Sequence, residues 1–213
     1  MKKFALLLIC GSFFVLQGNS QVKTHLYAGP QLSSASYKVG DEKQKTSFKP
    51  GFQAGVGLKV PFDNQLYFAP TLFYSLKGYK VTLDNAAFPP DTIAINNNVT
   101  VHAMEVGFLL HLELSKSTNH LFLRAGPSLD FALIGREKFD KKNGGGTVNR
   151  PMKFGFGDYG RYLASGIVQF GFETPTYYIM AQYHGTLGSI SNADDGPKIK
   201  HRVVGLSAGF YLN

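Results

Sequence analysis

Residues 104–114 read "MEVGFLLHLEL". Two carboxylates and a histidine interrupt one of the most apolar runs of the chain. A buried charge without a partner is costly, so these three side chains need an explanation. Counted in twos, the run separates cleanly. Met104, Val106, Phe108, Leu110, Leu112 and Leu114 fall on one side, with Glu105, Gly107, His111 and Glu113 on the other. Side chains of a β-strand point alternately to opposite faces, so period two over this length predicts a strand.

The same alternation recurs about eight times along the chain. It is visible in Thr24–Ser34, Gly51–Phe62, Gln65–Tyr79, Leu121–Arg136, Arg161–Glu173, Thr176–Leu187 and His201–Asn213. The connections alternate as well. Short ones at 61–64, 115–119 and 174–176 are interleaved with long polar ones near 37–47, 84–98, 138–158 and 191–198. Short turns at one end and long loops at the other is the layout of a closed antiparallel up-and-down transmembrane β-barrel. The reading is all-β, with about eight strands and both termini at the short-turn, periplasmic end.

Alternation alone does not say which face meets lipid. The apolar rows stay nearly free of charge for the 9–11 residues or so that a tilted strand needs to cross a bilayer. The opposite rows carry both signs: Lys59, Lys77, Glu105, Glu113, Arg124, Asp130, Arg136, Arg161 and Glu173. Lysine or arginine facing lipid at the midplane costs about 2–4 kcal/mol, which turns the charged rows inward. A barrel of about eight strands has an interior just wide enough for side chains to fill. The expected interior network is structural and comprises Glu105, His111, Glu113, Arg124, Asp130, Arg136, Arg161, Gln169 and His184, with the acids of the opening run paired to Arg124 or Arg136. Tyr74, Tyr79, Tyr162, Tyr177, Phe210 and Tyr211, near strand ends, are expected in the aromatic girdles.

Composition agrees with many short strands. The chain has 18 Phe, 11 Tyr and 24 Gly, and only 17% of it is charged. Lys2 and Lys3 followed by the apolar Phe4–Leu16 predict an export signal over 1–20, with 21–213 as the barrel domain. Cleavage after Ser20 removes Cys10, the only cysteine, and with it thiol chemistry and cysteine-based zinc sites. The formal charge of +8 falls to +6 without Lys2 and Lys3. Export argues against nucleic acid as the partner of this basic chain and favours anionic lipid or polysaccharide.

Three chemical readings compete with a structural interior. His111 and Glu113 share a face and could ligate a metal, but a site needs three or four ligands and no clustered partner is evident. Ser128, Asp130 and His184 could make a hydrolase, but no G-x-S-x-G elbow is present. "KKNGGGTVNR" (141–150) could pass for a phosphate loop, but it lacks G-x-x-x-x-G-K-[ST]. No catalytic residue, metal or cofactor is expected.

The segments "GFQAGVGLKVPFDNQLYFAPTLFYSLKGYK", "MEVGFLLHL", "LRAGPSLDF" and "VVGLSAGFYLN" together resemble the PorT-like outer-membrane β-barrel family of the Bacteroidetes lineage. The resemblance covers most of the chain after the signal. It implies a barrel in the outer membrane of a Gram-negative bacterium and carries over no catalytic residues. Structural or interaction roles follow: membrane integrity, adhesion or a secretion accessory, with the long loops as working surface. The implied partners are outer-membrane lipid, the barrel-assembly machinery, and a surface polysaccharide or another envelope protein. A barrel enzyme acting on lipids and a soluble periplasmic ligand-binding barrel are the other two classes. N-terminal sequencing of the exported protein should begin at Gln21; a chain retaining Met1 would remove the export signal from this reading.

Overall fold

The run that begins at Met104 is the second half of one long strand, and seven others like it close into a barrel. The computed structural model describes residues 22–212, so the expected signal segment lies outside the described residues. Its strands are β1 (Lys23–Val39), β2 (Glu42–Lys43), β3 (Lys45–Ser47), β4 (Lys49–Asp63), β5 (Leu66–Thr82), β6 (Asn96–Glu113), β7 (His120–Asp140), β8 (Thr147–Pro151), β9 (Tyr162–Glu173), β10 (Tyr177–Thr186) and β11 (Lys198–Leu212). The eight long strands pair antiparallel in the order β1-β4-β5-β6-β7-β9-β10-β11. Pairing of β11 with β1, from Thr24 opposite Leu212 to Lys38 opposite Lys198, closes the ring. The short β2, β3 and β8 extend the loop end, pairing with β1, β5 and β7. The only helical element among the described residues is one 3-10 turn at Lys142–Gly144.

Closure is what permits the strands to sit in lipid. An open sheet edge would leave unpaired backbone groups in hydrocarbon, and a closed ring has none. Three prolines test this rule. Pro30, Pro70 and Pro127 stand in mid-strand and offer no N–H. Each keeps its pairing on one side, opposite Phe52, Phe108 and Gly166 respectively. On the other side the ladder skips. β1–β11 passes from Ala28/Ala208 to Gln31/Gly205, β4–β5 from Gly57/Thr71 to Val60/Phe68, and β6–β7 from Gly107/Ser128 to Leu110/Ala125. In the two Ala-Gly-Pro segments the glycine lets the neighbouring carbonyl come close. A Cβ on Gly29 would stand 1.9 Å from the Leu206 oxygen, and one on Gly126 2.2 Å from the Phe108 oxygen.

Outward rows are apolar along the opening run: Val106, Phe108, Leu110 and Leu112 are exposed while Glu105, Gly107, Leu109 and His111 are buried. Inside, two apolar layers fill the lumen. One holds Tyr27, Phe73, Leu109, Phe122, Ile167, Tyr178 and Met180. The other, at the loop end, gathers Tyr37, Tyr79, Val99, Phe139, Tyr159, Ile190 and Ile199.

Four side chains depart from the places expected of them from sequence. Arg136 points outward because β7 carries a bulge: His102 opposes Ile134 and Ala103 opposes Ala132, so Leu133 is an extra residue. Leu133 and Ile134 both face out, and parity is reversed beyond them, bringing Gly135, Glu137 and Phe139 inward. Arg161 is exposed because β9 begins only at Tyr162, where period two no longer governs it. Its guanidinium lies 4.9 Å from the Phe154 ring. Tyr79 and Tyr211 face the lumen rather than the girdles, while Tyr162, Tyr177 and Phe210 are exposed on the wall.

Leu110→Arg should abolish the heat-modifiable folded band in a gel-shift assay of assembled membranes, because an arginine at mid-wall costs about 2–4 kcal/mol. Gly107→Ser should leave most of it, since a Cβ there would need only a small shift of the Thr71 Cγ2 methyl, at 2.8 Å, and would meet Leu109 and Ile167 at ordinary contact distances. Equal losses would mean the faces are reversed.

Candidate functional site in the barrel interior

Two groups of charged side chains occupy the lumen, and each is centred on a lysine. Near the short-turn end, the Lys59 ammonium from β4 reaches Glu113 of β6 at 2.6 Å and Glu173 of β9 on the far wall. It also lies 4.4 Å from the centre of the Tyr67 ring. Tyr211 of the last strand donates to Glu173 Oε2 at 2.8 Å, and His120 Nε2 lies 3.0 Å from Glu173 Oε1. Register places Arg124 opposite His111, and Arg124 Nε donates to His111 Nδ1 at 2.6 Å. The guanidinium is held between the rings of Phe122 and Tyr178, at 4.6 and 4.9 Å.

Deeper toward the loops, Glu105 and Asp130 are directly opposed on β6 and β7. Like charges so placed repel. Lys77 resolves the conflict: its ammonium contacts Glu105 at 2.7 Å and also Asp130. His184 Nδ1 stands 3.2 Å from the other Glu105 oxygen. Glu105 is 0% exposed and Lys77 2%. Between the two groups runs a neutral chain in which Gln169 Nε2 donates to Gln182 Oε1 at 3.2 Å and Gln53 Nε2 to Ser207 Oγ at 2.9 Å. Tyr178 rests on Gly209, where a Cβ would come 2.4 Å from the ring.

Of the residues expected inside, Glu105, His111, Glu113, Arg124, Asp130, Gln169 and His184 line the lumen, while Arg136 and Arg161 stand on the outer surface. The acids of the opening run pair with Lys77 and Lys59, not with Arg124 or Arg136. Period two tells which face a residue takes but not how far a long side chain leans. Lys77 lies opposite Val101, four residues from Glu105, and its stem covers that distance along the wall. Glu173, read on the charged rows but not in the expected network, also belongs to it, as do His25 and Tyr211, the latter expected in a girdle.

The arrangement has the shape of an ion-pair core more than of a reaction centre. His111, Glu113 and Glu173 bring ligand atoms within 4.8 Å of one another. Lys59 already holds the cation's place between the two carboxylates. Arg124 donates to His111 Nδ1, which leaves the ring proton on Nε2, the nitrogen facing Glu173 at 3.6 Å. A metal would need that nitrogen bare. Among the described residues Ser128 Oγ has no hydrogen-bond partner, so the Ser128, Asp130, His184 grouping is not assembled as a relay; Asp130 serves Lys77 and His184 faces Glu105. The 141–150 segment is the turn between β7 and β8, at 141–146, with positive φ at Asn143, Gly144 and Gly146, followed by the first residues of β8.

At the loop end the apolar layer is fastened by Tyr159, whose hydroxyl donates to Glu137 Oε2 at 2.9 Å, and by Arg150, whose Nε contacts Glu137 Oε1 at 2.6 Å. Burial pushes the Tyr159 phenol well above its usual range, so it stays a donor at every physiological pH.

An apolar outer wall around a packed polar lumen defines a small transmembrane β-barrel of the outer-membrane type. The chain belongs to the outer membrane protein beta-barrel domain family, whose model matches residues 16–212. Among solved structures it is similar to Ail, the attachment invasion locus protein of Yersinia pestis, at 14% identity over 89% of this chain and 98% of that one, TM-score 0.46. Neisserial surface protein A is similar at 14% identity, 88% and 96% coverage and TM-score 0.44. OprG of Pseudomonas aeruginosa is similar at 13% identity, 92% and 99% coverage and TM-score 0.44. No curated protein matches the chain.

Lys77→Met should destabilise the folded barrel by about 3–5 kcal/mol in urea titrations, because it strands two opposed carboxylates. Arg136→Ser, on the outer surface, should change stability by no more than about 0.5 kcal/mol. A Lys77→Met barrel as stable as wild type would remove the ion pair from the list of structural elements.

Proposed function

We propose that this outer-membrane barrel is a PorT-like structural or interaction protein whose working surface is its long loops. The observation that carries this reading is the filled lumen. Two ion groups, a glutamine chain and two aromatic layers occupy it from end to end, which leaves the loop end as the place for contact with a partner. There the loops present apolar side chains to solvent, with Phe156 91% exposed, and also carry the exposed basic Lys43, Lys142 and Lys153. Membrane integrity, adhesion and service to a secretion machine all use such a surface. Its candidate partners are outer-membrane lipid, surface polysaccharide and another envelope protein, with the assembly machinery engaged during biogenesis.

The loop end faces outward and both termini face the periplasm. An enzymatic role on lipids is disfavoured, because Ser128, Asp130 and His184 are sealed from both water and lipid. Whole-cell labelling tests the orientation. A cysteine placed at Gly144 should react with a membrane-impermeant maleimide on intact cells, and one at Ser117 should react only after the outer membrane is opened. The reverse pattern would turn the barrel over and place the loops in the periplasm.

A further inference from the structure

The outer row of β11 changes character at one point. From the loop end it runs Lys198, Lys200, Arg202, then Val204, Leu206, Ala208 and Phe210, all outward. The inward residues between them, Ile199, His201 and Val203, are buried. Three cations therefore stand in file directly above the apolar band. Their neighbours supply no counter-charge. On β1, Lys38 faces Lys198, Ser36 faces Lys200 and Ser34 faces Arg202. On β10 the residue opposite Arg202 is Gly185. Among the described residues no carboxylate forms an ion pair with Lys38, Lys198, Lys200 or Arg202, although Asp194 and Asp195 lie in the preceding loop, Asp41 in the turn after β1 and Glu42 at the start of β2. Lys38 and Lys198 are like charges directly opposed, an arrangement that an external anion relieves.

Below the cations the same sector of wall is hollow. Where Pro30 interrupts the β1–β11 ladder, Ala28, Pro30, Ala181 and Ala208 form a floor between the ridges of Leu206 and Phe170. The hollow measures about 590 Å³ and its lining is almost wholly apolar. That volume falls within the range of about 300–1,000 Å³ typical of sites for small molecules. Leu206 is four residues from Arg202, or roughly 13 Å along the strand at about 3.3 Å per residue. Headgroup cations and a chain-sized hollow are thus aligned along one strand, in the order in which a membrane lipid presents phosphate and acyl chain.

We propose that β10, β11 and β1 form a binding site for one phosphorylated lipid of the surrounding leaflet. Its phosphate is held by Arg202 and Lys200, with Lys198 and Lys38 above, and an acyl chain lies in the hollow beside Pro30. The cations face sideways from the wall and continue into the apolar band, which fits a ligand embedded in the membrane better than a soluble anion.

Native mass spectrometry of the whole folded barrel in neutral detergent tests this with long-chain phosphatidic acid as probe. The barrel should retain one phosphatidic acid at least about tenfold more tightly than diacylglycerol with the same chains. Replacing Lys198, Lys200 and Arg202 together by Ser should reduce that preference by about tenfold or more, and a triple Gln variant should do the same. Ala181→Leu, which fills the hollow, should weaken the long-chain probe several-fold and a short-chain analogue little. The heat-modifiable band identifies the folded variants. Equal retention of the two lipids, or unchanged retention by both triple variants, overturns the proposal. So does displacement of phosphatidic acid by inorganic phosphate or a sulfated polysaccharide at equal concentration, which would assign the cations to a soluble ligand.

Discussion

Two buried ammonium groups hold the interior together. Lys59 joins β4 to β6 and, across the lumen, to β9; Lys77 joins β5 to β6 and β7. Each bridges two carboxylates that would otherwise repel in so narrow a space. The pairs do not need to add net stability over an apolar filling, because burial of charge is itself costly. What they supply is geometry. A buried carboxylate held by its lysine fixes the strands that carry the two, and a slip of one residue would turn a strand's charges toward lipid.

The outer wall answers to the other constraint, that every backbone group in hydrocarbon be paired. Eight of the eleven strands among the described residues meet it by closing into a ring. The three mid-strand prolines locally relax it, and two are preceded by a glycine that admits the neighbouring carbonyl. At Pro30 the relaxed ladder coincides with the hollow below Arg202. One backbone exception thus shapes the part of the wall best suited to hold a lipid.

Fold and facing were largely legible in the chain. The opening run already separates Glu105, His111 and Glu113 from Val106, Leu110 and Leu112, and the structure keeps that separation. Pattern failed where it had to. A bulge at Leu133 adds one residue that no alternation announces, and it sends Arg136 outward while drawing Glu137 in. Arg161 lies just before its strand begins. Pairing partners were illegible for a different reason: a flexible lysine stem reaches several residues along the wall, so Lys77 meets Glu105 although register sets it opposite Val101. Glu173 reaches Lys59 across the lumen, a neighbourhood visible only once the ring is closed.

A lumen filled by Lys59, Lys77 and their partners should carry no ions. Single-channel recording of the purified barrel in a planar bilayer measures this directly. The expected trace is flat, with no discrete conductance steps over a wide voltage range. Long-lived, reproducible open steps from the folded protein would contradict the account, since they would require a water-filled path through the space these side chains occupy.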